Sequence, residues 1–213
     1  MKKIRLALFF AFLSLFSINS IFPQNSKNLT IDEICTSLTS SKVTSGDFIQ
    51  EKISPKLSKP LISSGKFIFC SKGVVWAAQK PFKTSTVITE NSIIQTGLNG
   101  KKQVIDGSSN EIFKSVAQTL SSLFTGTKSQ LETYFTIQDF SSDSSSWKMT
   151  LIPKDKTISA AIQQIALGGT SKNQKASLDS MKIVQTGSSS TNYILSNQIY
   201  AQELSDEQEN YFK

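Results

Sequence analysis

Residues 65–70 (GKFIFC) and 73–79 (GVVWAAQ) are short runs of β-branched and aromatic residues joined by Ser71-Lys72-Gly73. Such side chains suit a pleated, half-buried surface and the link suits a tight turn, so the pair reads as a β-hairpin. Further runs follow at 84–89, 92–96 and 102–106, divided by Glu90-Asn91 and by Leu98-Asn99-Gly100. Others lie at 134–140, 147–152, 162–167, 181–186 and 192–196, divided by Ser-rich or Gly-containing turns such as 141–146 and 187–190. An antiparallel meander is the simplest path through them. About ten strands in a single sheet must curl, split or close.

Helical spacing appears twice. Thr30 stands three residues before Glu33 as a capping box, and Ile31, Ile34, Cys35 and Leu38 follow on one face, which predicts a first helix over 31–41. Ile112, Phe113, Val116, Leu120, Leu123 and Phe124 form one stripe with Gly126 as a stop, which predicts a second helix over 110–124. The expected fold is α+β and mostly β: a curved antiparallel sheet covered by two or three helices. Helices that do not fill the concave side leave an apolar cavity, an architecture that suits a carrier of apolar ligands.

A chain of 213 residues can share one core, and the Ser-rich stretch 141–146 is too short for a domain boundary. Lys2, Lys3 and Arg5 precede the apolar run LALFFAFLSLF at 6–16, which is shorter than the ~20 residues of a membrane span. Residues 1–24 therefore read as a signal peptide cut after Ser20 or Gln24, leaving a single domain over 25–213 exported to the periplasm. Neither cut exposes a cysteine, so the chain is not itself lipidated at its N-terminus. In an oxidising compartment Cys35 and Cys70 form either a disulfide, contributing ~3–4 kcal/mol, or two buried thiols.

Composition removes several functions. There is no histidine, which excludes His-based nucleophile systems, general acid/base work and HExxH zinc sites. Arg5 is the sole arginine, so the mature chain lacks the forked donor used for bidentate phosphate recognition. Without Lys2, Lys3 and Arg5, 20 basic residues face 16 acidic ones, too mild an excess for nucleic acid. The close carboxylate pairs, Asp32 with Glu33 and Asp139 with Asp143, sit where solvated acids are expected, in a helix's first turn and a Ser-rich segment. The lysines of 52–66 and 101–102 read as solubility and edge protection, or as a surface for an anionic partner. The expectation is a protein that is not an enzyme and uses no cofactor and no metal.

The order of elements then resembles a known family. Gly46-Asp47-Phe48-Ile49-Gln50 carries an F-x-Q strand, Gly65 with Phe67 and Phe69 a G-x-φ-x-φ strand (φ apolar), and Trp76 leads to Lys80-Pro81-Phe82. The helical stripe at 112–124, then Leu151-Ile152-Pro153-Lys154 and Ile162-Gln163-Gln164-Ile165, extend the likeness over most of the mature chain. In these features the sequence resembles the periplasmic outer-membrane lipoprotein carrier proteins (LolA-like). That resemblance implies a half-barrel with helices as a lid, whose cavity holds the acyl chains of lipoproteins between an inner-membrane exporter and an outer-membrane acceptor. It departs at one place: such carriers commonly have an Arg just before the Trp strand, where this chain has Ser71 and Lys72. Lysine lacks the forked geometry, so the hand-over step and its acceptor are not implied.

Alternation along the two strands puts Phe67 and Phe69 on one face, and Val74 and Trp76 on one face. The family likeness points these inward, and with Phe48, Val116, Leu120 and Phe124 they are the expected wall of the acyl cavity. The plain alternative for each is ordinary core packing, since core and cavity wall look the same in sequence. The expected protein is a monomeric periplasmic carrier of acylated lipoproteins that does not bind nucleic acid. A carrier of a free lipid or glycolipid, or an extracytoplasmic interaction module with a filled core, are the other readings.

Overall fold

The computed structural model describes residues 28–89, 92–106 and 127–213. Within them twelve strands form one sheet: β1 (Val43–Ile53), β2 (Leu61–Cys70), β3 (Gly73–Lys80), β4 (Thr84–Ile88), β5 (Ser92–Thr96), β6 (Lys102–Asp106), β7 (Phe135–Ser142), β8 (Ser146–Pro153), β9 (Ile162–Lys172), β10 (Lys175–Ala176), β11 (Ser180–Gln185) and β12 (Ser189–Ala201). The spatial order is β6-β5-β4-β3-β2-β1-β12-β11-β9-β8-β7, with β10 added to β9. Every printed pairing is antiparallel. The first and last strands pair in the middle of the sheet, and the chain between β6 and β7 joins its two edges. The expected open, curved antiparallel sheet with helices on it is the observed fold.

Local chemistry sets the helices. In α1 (Ile31–Leu38) the Thr30 N–H donates to Glu33 Oε2 at 2.7 Å, and the Glu33 N–H returns to Thr30 Oγ1 at 3.2 Å. The helix stops short of residue 41: the Thr39 hydroxyl joins its N–H on the Cys35 carbonyl, and the Ser40 N–H closes a tighter turn on the Ser37 carbonyl. A second capping box, Thr127 with Gln130, starts α2 (Lys128–Tyr134), which delays the strand expected at 134 to Phe135. One further turn, α3 (Lys156–Ser159), precedes β9. The helix expected over 110–124 and the signal peptide expected over 1–24 lie outside the described residues. Among the described residues no helix is long and apolar enough to cross a membrane.

The sheet has two apolar faces. The inner face carries α1 and α2 and holds the main core, in which Phe48, Phe67, Phe69, Trp147, Leu131 and Ile34 are almost fully buried. Burying each large side chain contributes roughly 1.5–3 kcal/mol. Two glycines make room for the largest of them. A Cβ on Gly46 would stand 2.9 Å from the Phe67 ring, and one on Gly169 would stand 2.6 Å from Trp147 Nε1. The indole N–H of Trp147 then donates to the Ser177 carbonyl at 3.0 Å, so its one polar group is satisfied inside the core.

The outer face has a smaller cluster of Val43, Ile68, Cys70, Val75, Ala77 and Val87. It is covered by the C-terminal segment. That segment folds as α4 (Asp206–Glu209) and a 3-10 turn (Asn210–Phe212), and it lays Leu204, Tyr211 and Phe212 on the cluster. Glu209 pairs with Lys72 at 2.5 Å, and Lys102 Nζ donates to the Lys213 carbonyl at 3.2 Å.

Candidate functional site

The inner face of β1, β2 and β3 brings the aromatic residues together by register. Phe48 lies opposite Gly65, Gly65 opposite Ala78, and Phe67 opposite Trp76. Gly65 is obligatory, because a Cβ there would stand 2.0 Å from the Ala77 carbonyl oxygen. Trp76 meets Phe48 and Phe69 edge-on, with ring centroids 5.2 and 5.5 Å away. It also lies 4.6 Å from the Tyr193 ring of β12, at 31°. Trp76 is only half-buried, whereas Phe67 and Phe69 beneath it are closed off.

Beside Trp76 the inner face opens into a hollow of about 310 Å³, near the lower end of the range that holds small ligands. Phe48, Trp76 and Ala78 form its apolar floor. Phe82 and Leu98 stand at its rim, 61 % and 68 % exposed. Gln50, Ser63, Thr84 and Thr86 supply polar groups, and Lys80 is the one charged residue among those that line it. A hollow of about 570 Å³, bordered by Gln95, Asn99 and Gln103 among others, adjoins it through the shared Thr84 and Thr86.

The electrostatics are those of a binding surface without convergent acids. Burial pushes the Tyr193 phenol up to about 12, so the ring is a neutral wall at any physiological pH. Asp47 lies on the outer face, held below the usual carboxylate range by the Asn197 amide at 2.6 Å and by Lys66 at 2.5 Å. Asp143 is drawn down to about 2 by the backbone N–H and hydroxyl groups of Ser145 and Ser146. It organises a turn at the solvent surface. Among the described residues no three Cys, Asp or Glu side chains gather as a metal site.

Of the residues expected to line an acyl cavity, Phe48 and Trp76 border the hollow. Phe67, Phe69 and Val74 lie beneath, buried in the main core. Val116, Leu120 and Phe124 lie outside the described residues. Tyr193, Phe82, Leu98 and Lys80 belong to the site without having been expected there. For Phe82 and Lys80 the sequence signal is their place beside Pro81 at the end of the Trp strand; Tyr193 depends on the pairing of β12 with β1, which no local pattern reports.

Cys35 and Cys70 are both free and buried. Cys70 belongs to the outer cluster, while α1, which carries Cys35, packs Ile34 and Leu38 on the inner one. Burial, then the nearby Asp32 carboxylate, raises the Cys35 thiol to about 11; burial also raises that of Cys70.

A curved antiparallel sheet with α1 and α2 on its inner face, and an open aromatic hollow on β1 to β4 of that face, is the frame of the site. Residues 39–211 match the family model described as "Outer membrane lipoprotein carrier protein LolA", and the chain belongs to that family. No curated protein matches the chain by sequence. Similar solved structures include a DUF1329 family protein from Desulfovibrio piger, 14 % identical with a TM-score of 0.47, covering 83 % of this chain and 91 % of that one. A LolA superfamily protein from Nitrosomonas europaea is 9 % identical with a TM-score of 0.43, covering 83 % and 94 %. An uncharacterized conserved protein from Thermus thermophilus is 8 % identical with a TM-score of 0.47, covering 84 % and 90 %.

Proposed function

We propose that this protein is a periplasmic carrier that shields the acyl chains of lipoproteins on its inner face while they move from the inner to the outer membrane of a two-membrane bacterium. One observation carries the reading: a half-buried Trp76, packed on Phe48 and Tyr193, faces an open hollow with exposed Phe82 and Leu98 at its rim. Membership of a carrier family supports it. Each methylene withdrawn from water contributes ~0.8 kcal/mol, so shape and apolar surface suffice to hold a chain without any chemical step.

The test is to incubate the mature protein with spheroplasts that make an acylated lipoprotein and recover the soluble fraction. The carrier reading expects the acylated protein in soluble complex with wild type and much less with Trp76→Ala. Recovery of free lipid alone favours a lipid carrier, and recovery of neither removes the reading.

A further inference from the structure

An acyl chain uses only the apolar floor of the hollow, and the rest of its wall is chemically one-sided. Gln50, Ser63, Thr84, Thr86 and Lys80 line the same space, and among the described residues none of these side chains has a hydrogen-bond partner. Lys80 has no carboxylate partner there either. Beyond Thr84 and Thr86 the adjoining hollow continues the trend with Gln95, Asn99, Gln103 and Lys101. Among the described residues no aspartate or glutamate lines either hollow. The surface therefore grades from aromatic, at Phe48 and Trp76, to cationic and hydrogen-bonding, at Lys80 and Lys101. A neutral glyceride would leave the cations unanswered, whereas an anionic group at the head of the chain would meet charge-assisted donors next to an apolar wall.

We propose that the protein binds lipids with a negatively charged headgroup, a phosphate or a carboxylate, with the acyl part against Phe48 and Trp76 and the headgroup on the side of Lys80 and Lys101. The assignment rests on one part of the carrier reading, that the hollow holds an acyl chain, and it gives the head end of a free lipid held there, a second cargo beside the neutral anchor of a lipoprotein.

The experiment titrates the mature protein with an alkyl phosphate, a fatty acid and a monoacylglycerol of matched chain length, at low and at raised salt. The expected result is at least about tenfold tighter binding of the two anions, a gap that narrows with salt. Lys80→Gln and Lys101→Gln each weaken the anions by about threefold to tenfold and leave the monoacylglycerol unchanged. The double variant closes the gap. Lys72→Gln, which breaks only the outer-face pair with Glu209, changes none of the three. A larger response with the alkyl phosphate points to phospholipid as the source, and one with the fatty acid points to a free carboxylate; either supports the proposal. Equal binding of all three ligands overturns it and leaves the carrier reading standing. Failure of all three to bind overturns both.

Discussion

The rings of Trp76 and Tyr193 lie 4.6 Å apart although β3 and β12 are separated by both β2 and β1. Strands three steps apart are ~14 Å apart along a sheet. The two side chains bridge that gap by converging over Phe48, which touches both rings at 5.2 and 6.5 Å. The inner face is thus concave where these strands meet, and the aromatic wall is a product of sheet order as well as of composition.

Depth separates core from wall on that face. Phe67→Ala removes a fully buried ring seated on Gly46 and should cost about 3–5 kcal/mol in urea unfolding. Phe82→Ser, at a residue 61 % exposed on the rim, should change stability by less than about 0.5 kcal/mol. The same Phe82→Ser variant should nonetheless weaken an acyl probe several-fold. Unaltered probe affinity would take Phe82 out of the site.

High pH should loosen the fold through two neutral buried groups. The Cys35 thiol rises from 9.0 to about 11 and the Tyr193 phenol from 10.0 to about 12, so each keeps its proton in the folded state beyond the pH at which the unfolded chain loses it. Their contributions are complete below pH 9.0 and are lost as pH climbs towards 12. Denaturation midpoints should fall across that window, with the early part flattened in Cys35→Ala and the later part in Tyr193→Phe. Native protein should also react slowly with a thiol reagent and show two reactive thiols once unfolded.

Acid should act at the β7–β8 turn. Asp143 ionises at about 2 in the folded chain against 3.8 otherwise, so its contribution is present above 3.8 and is lost as pH falls towards 2. Asp143→Ala should remove that part of the acid dependence of the unfolding midpoint. An unchanged profile would mean the turn holds without its carboxylate.

The C-terminal segment acts as a cover for the outer face. Replacing Tyr211 and Phe212 together by Ala should expose Val43, Ile68 and Val75, raise binding of an apolar dye and lower stability by about 2–4 kcal/mol. Lys72→Ala should cost less than about 1 kcal/mol, since that pair is solvent-exposed. Dye binding that does not change would mean the outer cluster closes without the segment.

Elements with a strong local signal were legible in the sequence. The Thr30–Glu33 box marks α1, and the alternation in GKFIFC and GVVWAAQ marks β2 and β3 with their inner faces correctly paired. The Thr127–Gln130 box carries the same kind of signal for α2 but stands directly before a strand-like run, which masks it. Strands β1 and β9 run longer than their apolar cores because pairing partners, not propensity, hold their polar ends. Tyr193 in the wall and Phe212 on the outer face depend on contacts distant in sequence. Cavity wall and core could not be told apart in sequence, since Phe67 and Trp76 are both aromatic and inward-facing and differ only in depth.

The most direct measurement is native mass spectrometry with lipid extraction on the mature protein purified gently from the periplasm, beside Trp76→Ala. The carrier account predicts an acylated lipoprotein or acyl lipid held by wild type and largely absent from the variant. Ligand-free wild-type protein that also refuses an added acyl probe would contradict it.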